Sequence, residues 1–135
     1  MQRHTLGLAA GVCAFLACAG AVAPQAMAAD TPDQVALTTL DEIVRGDYPA
    51  ASAQFNPTLQ KLLPTTALQE SWDMYQRTFG AFQSHGEPET IPRDNVTIVN
   101  VPLQMQMRPG QFRLAVQPDG TISSVKFLKE GVPVP

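Results

Sequence analysis

Val99-Asn100-Val101-Pro102-Leu103-Gln104-Met105-Gln106-Met107 places an apolar residue at every second position. A period of about 2 sends alternate side chains to opposite faces of a β-strand, so this stretch predicts a strand with one apolar and one largely polar face. Pro102 has no N–H to give to a ladder, which predicts an edge strand or an interruption there. Pro109-Gly110 reads as a turn, and Phe112, Leu114 and Val116 resume the alternation. Pro118-Asp119-Gly120 reads as a second turn, before a third strand from Ile122 to Leu128. Three strands joined by tight turns make an antiparallel meander, and Phe82 to His85 is a candidate fourth.

Upstream of Phe82 the period is helical. Leu68, Trp72, Tyr75 and Phe79 recur on one helix face, Thr66-Ala67-Leu68-Gln69 has capping-box spacing, and Gly80 stops the helix. Asp73 and Arg77 are spaced to pair on another face. An earlier helix opens at Thr31-Pro32-Asp33-Gln34, which supplies a cap hydroxyl, a proline at the first helical position and a glutamine able to reach back. Ala36, Leu40, Ile43 and Val44 form its apolar stripe, and Arg45-Gly46 closes it. Asp47 caps a shorter helix through Ala50, Ala51 and Phe55, ended by Asn56-Pro57, and Leu59, Leu62 and Leu63 form a short turn before Pro64. The fold class that follows is α+β, with N-terminal helices packed on one face of an antiparallel sheet of three to four strands. Residues 29–130 make a single domain, and Gly131-Val132-Pro133-Val134-Pro135 is expected to be a loose tail.

Residues 1–28 read as a secretory signal peptide. Arg3 and His4 precede an uncharged run from Leu6 to Ala23, and Ala26-Met27-Ala28 offers small residues at a cleavage site. The run is rich in Ala and Gly, which weakens the alternative of a retained membrane anchor. Phe15-Leu16-Ala17 ahead of Cys18 fits a lipidation signal poorly. Both cysteines, Cys13 and Cys18, lie in this segment, so a domain cleaved after Ala28 is stable without disulfides. The expected location is secreted or periplasmic, with no stable membrane insertion after cleavage.

Nine Lys and Arg stand against twelve Asp and Glu, a net charge of −3, with no basic cluster. Nucleic acid and anionic membrane surfaces are therefore unattractive partners. His85 is the one histidine outside the leader, and Ser84, Ser123 and Ser124 lie in no nucleophile elbow. Asp41-Glu42 and Glu87-Pro88-Glu89 lack the ligand spacing of zinc or calcium sites and read as solvated surface charge. No cofactor motif is present. Asn95-Val96-Thr97 matches the glycosylation triplet, a short pattern that chance produces often.

Trp72, Tyr75 and Phe79 on the helix, facing Met105, Phe112 and Leu114 on the strands, admit two readings. They line a pocket for a small apolar ligand, or they are the core that any sheet-facing helix needs; the second is favoured on spacing alone. Met105 and Met107 suit either, because methionine fills irregular gaps and lines adaptable surfaces.

Gly46-Asp47-Tyr48, Ala51, Phe55, Leu68, Trp72, Phe79-Gly80 and Asp119-Gly120-Thr121-Ile122 occur in an order that resembles the bacterial family catalogued as domain of unknown function 3887. The resemblance runs from about Val35 to Leu128 and rests on aromatic and glycine positions. It implies a fold like nuclear transport factor 2, with helices against a curved antiparallel sheet. It is similar to segments found alone in exported proteins or ahead of an α/β-hydrolase domain, and it carries no catalytic residue set. Fold alone does not fix function. The reading is a secreted, non-enzymatic binding or accessory domain whose partner is a small apolar ligand. The alternative is an envelope protein-interaction module using the Val99–Met107 strand edge. A third is a small enzyme using His85, Asp73 or Tyr75.

Overall fold

In a computed structural model, residues 30–135 are described, and the signal-peptide reading of residues 1–28 lies outside the described residues. Helix α1 (Pro32–Val44) starts after Thr31, whose backbone N–H donates to Gln34 Oε1 at 2.9 Å, and Gly46 closes it with φ 83°. Its buried residues are Val35, Ala36, Thr39, Leu40 and Ile43; Val44, expected in the stripe, is exposed. Thr39 is buried without penalty because its hydroxyl donates to Val35 O at 2.8 Å and accepts from Gln54 Nε2 at 3.1 Å.

Asp47 caps α2 (Tyr48–Ala53) by accepting from Ala50 N, and Asn56 caps α3 (Pro57–Leu62) by accepting from Leu59 N at 2.8 Å. Asn56-Pro57 thus opens one helix as it ends the stretch before it. Helix α4 (Thr65–Phe79) starts one residue ahead of Thr66, with Pro64 at the cap position and no side-chain cap, so the expected capping box does not form. Its buried residues are Leu68, Trp72, Tyr75 and Phe79, the stripe read from the spacing. Among the described residues Asp73 and Arg77 form no ion pair. Asp73 instead faces Tyr48, whose phenol is held above its ordinary range by burial and then by that carboxylate.

The sheet has five antiparallel strands: β1 (Phe82–His85), β2 (Glu89–Arg93), β3 (Val96–Met105), β4 (Pro109–Val116) and β5 (Ile122–Lys129). Sequence spacing missed β2. It pairs with β3 through a two-residue turn, Asp94-Asn95, in which Asp94 takes φ 48°; only residues that tolerate a left-handed backbone fit there. The expectation of an edge strand or an interruption at Pro102 is corrected: the strand runs unbroken through Pro102, and the interruption lies between its neighbours β1 and β2. β3 is central, with β4 on one side and both β1 and β2 on the other. Pro102 is tolerated because the break between β1 and β2 falls opposite it, where Gly86 N donates to Pro102 O at 2.9 Å and no partner calls for the missing N–H.

The turn expected at Pro109-Gly110 lies at residues 106–108 instead, and both residues belong to β4. Met107, placed by the alternation on the apolar face, is 61% exposed in that turn. Pro118-Asp119-Gly120 is a turn as read, with Gly120 at φ 87° and Thr121 N donating to Asp119 Oδ1.

Four helices lie against the inner face of the sheet, which carries Val99, Val101, Leu103 and Met105 of β3 and Phe112, Leu114 and Val116 of β4. The outer face follows the opposite register: Glu89, Asn100, Arg113 and Lys126 lie in one row across four strands. Residues 131–135 form no strand, but the tail expected to be loose is tied down on this outer face, because Arg113 and Arg93 donate to its carbonyls. No helix among the described residues is long and apolar enough to cross a membrane.

Candidate functional site

Trp72, Tyr75, Phe79, Met105, Phe112 and Leu114 come together as the spacing suggested, in one core cluster, each less than a tenth exposed. Their aromatic rings are in contact: Tyr75 stacks on Phe79 at 4.4 Å between centroids, and Phe127 lies 5.3 Å from Trp72 and 5.6 Å from Phe112. Rings packed edge and face at these distances fill the space between helix and sheet, so the stripe is spent on cohesion.

The Tyr75 hydroxyl reaches through this layer to the sheet and donates to Leu128 O at 2.6 Å. It passes so close to β4 that a Cβ on Gly110 would lie 1.8 Å from the phenol oxygen. Burial pushes the phenol up to about 12, against the smaller opposing effects of the Gln111 backbone N–H and the Arg108 charge. The close pass of the hydroxyl explains why position 110, which lies within a strand and not in the expected turn, is a glycine.

Outward from Tyr75 and Phe79 an open groove of about 480 Å³ runs between α4 and β5. Leu63, Met74, Val125 and Phe127 supply its apolar lining, and Ser71, Thr78 and Lys126 its polar members. Met74 is 60% exposed, and the Arg108 guanidinium lies 4.5 Å over the Phe79 ring. Only two of the six expected lining residues, Tyr75 and Phe79, reach this groove. The sequence missed Met74 because it lies off the buried stripe, and Val125 and Phe127 because their strand was read without an orientation.

The outer face of the sheet holds a polar cluster that sequence reading also missed. Arg113 is 6% exposed, and Asn100 and Gln111 are nearly as buried. Arg113 Nε donates to Asn100 Oδ1 at 3.0 Å and Nη2 to Gln111 Oε1 at 3.2 Å. Nη2 also donates to Val132 O at 2.6 Å and Nη1 to Pro133 O at 2.9 Å. Gln111 Nε2 in turn donates to Lys129 O. A signal was present in the alternation, where an arginine stands between Phe112 and Leu114 on a face read simply as polar.

The candidate acid–base groups are placed as follows. His85 is exposed with Nδ1 2.8 Å from Gly86 O, Asp73 faces Tyr48, and the Tyr75 hydroxyl is engaged by Leu128. No hydrogen bond among the described residues joins any two of the three. Asp41 pairs with Arg45, and Glu42 accepts from Gln54 at 2.8 Å. Among the described residues no group of three or more His, Cys, Asp or Glu could hold a metal ion.

Residues 36–125 match the family described as "Protein of unknown function (DUF3887)". No curated protein and no solved structure matches the chain.

Proposed function

We propose a non-catalytic binding role for this chain, which belongs to the DUF3887 family of proteins of unknown function. The observation that carries the proposal is the groove between α4 and β5. It is apolar, open and bordered by a flexible methionine, and the aromatic core beneath makes a rigid floor. A small apolar ligand fits its volume and lining. The order of basic, apolar and small residues in 1–28 supports export, to the periplasm or outside the cell. We take the helices and antiparallel sheet to be an arrangement like nuclear transport factor 2, as the family resemblance implies. Catalysis is not part of the proposal, and His85, Asp73 and Tyr75 are assigned structural or surface roles.

The test is titration of the chain with the neutral fluorescent probe N-phenyl-1-naphthylamine, compared with Met74→Glu. A carboxylate beside an apolar ligand is costly to desolvate, so binding weakens by about tenfold or more. Undiminished binding by a folded Met74→Glu chain overturns the groove as the site. A second reading, an envelope protein-interaction module, draws on the position of β5 at the end of the sheet beside that groove. Crosslinking through a photoreactive residue at Met74 in intact cells separates the two, since only the second yields a reproducible protein adduct.

A further inference from the structure

Arg113 is a buried cation whose hydrogen-bond acceptors are all neutral. Among the described residues the ion pairs are those of Arg45, and none reaches Arg113. A guanidinium removed from water gains most from a carboxylate, whose two oxygens match the two terminal nitrogens in a bidentate pair. Here the carbonyls of consecutive residues, Val132 on Nη2 and Pro133 on Nη1, take up those two nitrogens instead. They engage the two terminal nitrogens that a carboxylate would engage, without its charge.

We propose that the outer face of the sheet is a binding site for a small monocarboxylate, with residues 131–135 as a strap that covers it. Asn100 and Gln111 hold the guanidinium at its inner edge, so its orientation does not depend on the strap. Among the described residues the strap is held by side chains alone, those of Arg113 and Arg93. Gly131, at φ 87° with open space around it, is the pivot, and the far end is held by Arg93 Nε donating to Pro135 O at 2.8 Å. Next to Arg113, a cavity of about 520 Å³ is lined by Asn100 and Gln111 together with His85, Pro102, Leu103 and Glu130. It offers room for an uncharged body attached to the carboxylate, and Glu130 disfavours a second anionic group there. When a carboxylate binds, the two strap carbonyls leave Arg113 and turn to water. An ion pair replaces two hydrogen bonds from the guanidinium to uncharged carbonyls. This site is on the opposite face of the sheet from the groove proposed above and does not depend on it.

The experiment is isothermal titration with hexanoate, and with hexanamide as its uncharged counterpart. It compares the full chain, a variant ending at Glu130, and that variant carrying Arg113→Gln. The expected result is that loss of the strap tightens hexanoate binding by about tenfold or more, that hexanamide does not bind, and that Arg113→Gln abolishes binding. Equal hexanoate affinity with and without the strap overturns the proposal, as does equal binding of hexanoate and hexanamide. Tighter binding of inorganic phosphate than of hexanoate also overturns it. If the shortened chain does not fold, the full chain is read by NMR. Hexanoate must then shift the Arg113 Nε–H and the Val132 and Val134 amides together, and a titration that moves none of them refutes the strap.

Discussion

Gly110→Ala tests the central packing claim, that Tyr75 threads its hydroxyl past β4 to reach Leu128. The added methyl would lie 1.8 Å from the phenol oxygen and 3.0 Å from both the ring carbon that bears it and Leu128 O. Neither strand backbone can yield easily, so the ring must withdraw. Forced repacking of a filled core costs about 1–3 kcal/mol, and the lost hydrogen bond from a buried hydroxyl adds about 1 kcal/mol. The expected total is about 2–4 kcal/mol. Tyr75→Phe removes only the hydroxyl and should cost about 1–1.5 kcal/mol, largely because Leu128 O is left unpaired. Combining the two relieves the worst contact, so the double variant should be less destabilised than the sum by at least about 1 kcal/mol. Urea unfolding followed by tryptophan emission reads all three. Trp72 is the chain's single tryptophan, and its ring lies 5.9 Å from that of Tyr75. A Gly110→Ala chain within about 0.5 kcal/mol of the parent, or strictly additive effects in the double variant, would show that the Tyr75 hydroxyl does not pass beside Gly110.

Tyr75 also sets an alkaline limit. Its folded phenol is pushed up to about 12 from an ordinary 10.0, so the stabilisation is complete below pH 10 and is lost as the pH rises toward 12. Denaturation curves across that window should show stability falling in the parent and falling less in Tyr75→Phe, with the residual slope belonging in part to Tyr48; identical slopes would contradict the assignment. Trp72→Ala should cost about 3–5 kcal/mol, since the indole is 2% exposed amid Tyr75, Phe82 and Phe127. A loss below about 1 kcal/mol in urea unfolding would mean that the core closes over the gap or that the ring is not buried. The mass of the exported protein checks the leader: it should begin at Ala29, and a chain retaining Met1 or a lipid on Cys18 would contradict cleavage there.

Local rules made the helices legible. Leu68, Trp72, Tyr75 and Phe79 announced the buried face of α4 because a helix returns to one side every three or four residues, whatever packs against it. Asp47 could be read as a cap because a cap bonds backbone groups only three residues away; Asn56 does the same for α3, although Asn56-Pro57 was read only as a helix end. The family, too, was legible, since its aromatic and glycine positions follow from this order of elements. Strand β2 was not, because Glu89–Arg93 is short and only its pairing with β3 makes it a strand. The groove was half legible: Tyr75 and Phe79 were named, but Met74 and Phe127 join them only where α4 crosses β5.

An α+β chain was readable from local order alone, with three helices and a short turn ahead of an alternating, turn-broken sheet, because these features arise from neighbours within a few residues. Tertiary structure decided what could not be local. It kept Pro102 in an unbroken central strand, where an edge or an interruption was expected, by breaking the strand beside it. It turned Gly110 from a turn residue into the passage for a tyrosine hydroxyl. It buried Arg113 under the carbonyls of residues some twenty positions away in the chain. In each case the deciding partner is distant in sequence, and an alternation or a turn signal carries no information about which distant backbone will fold against it.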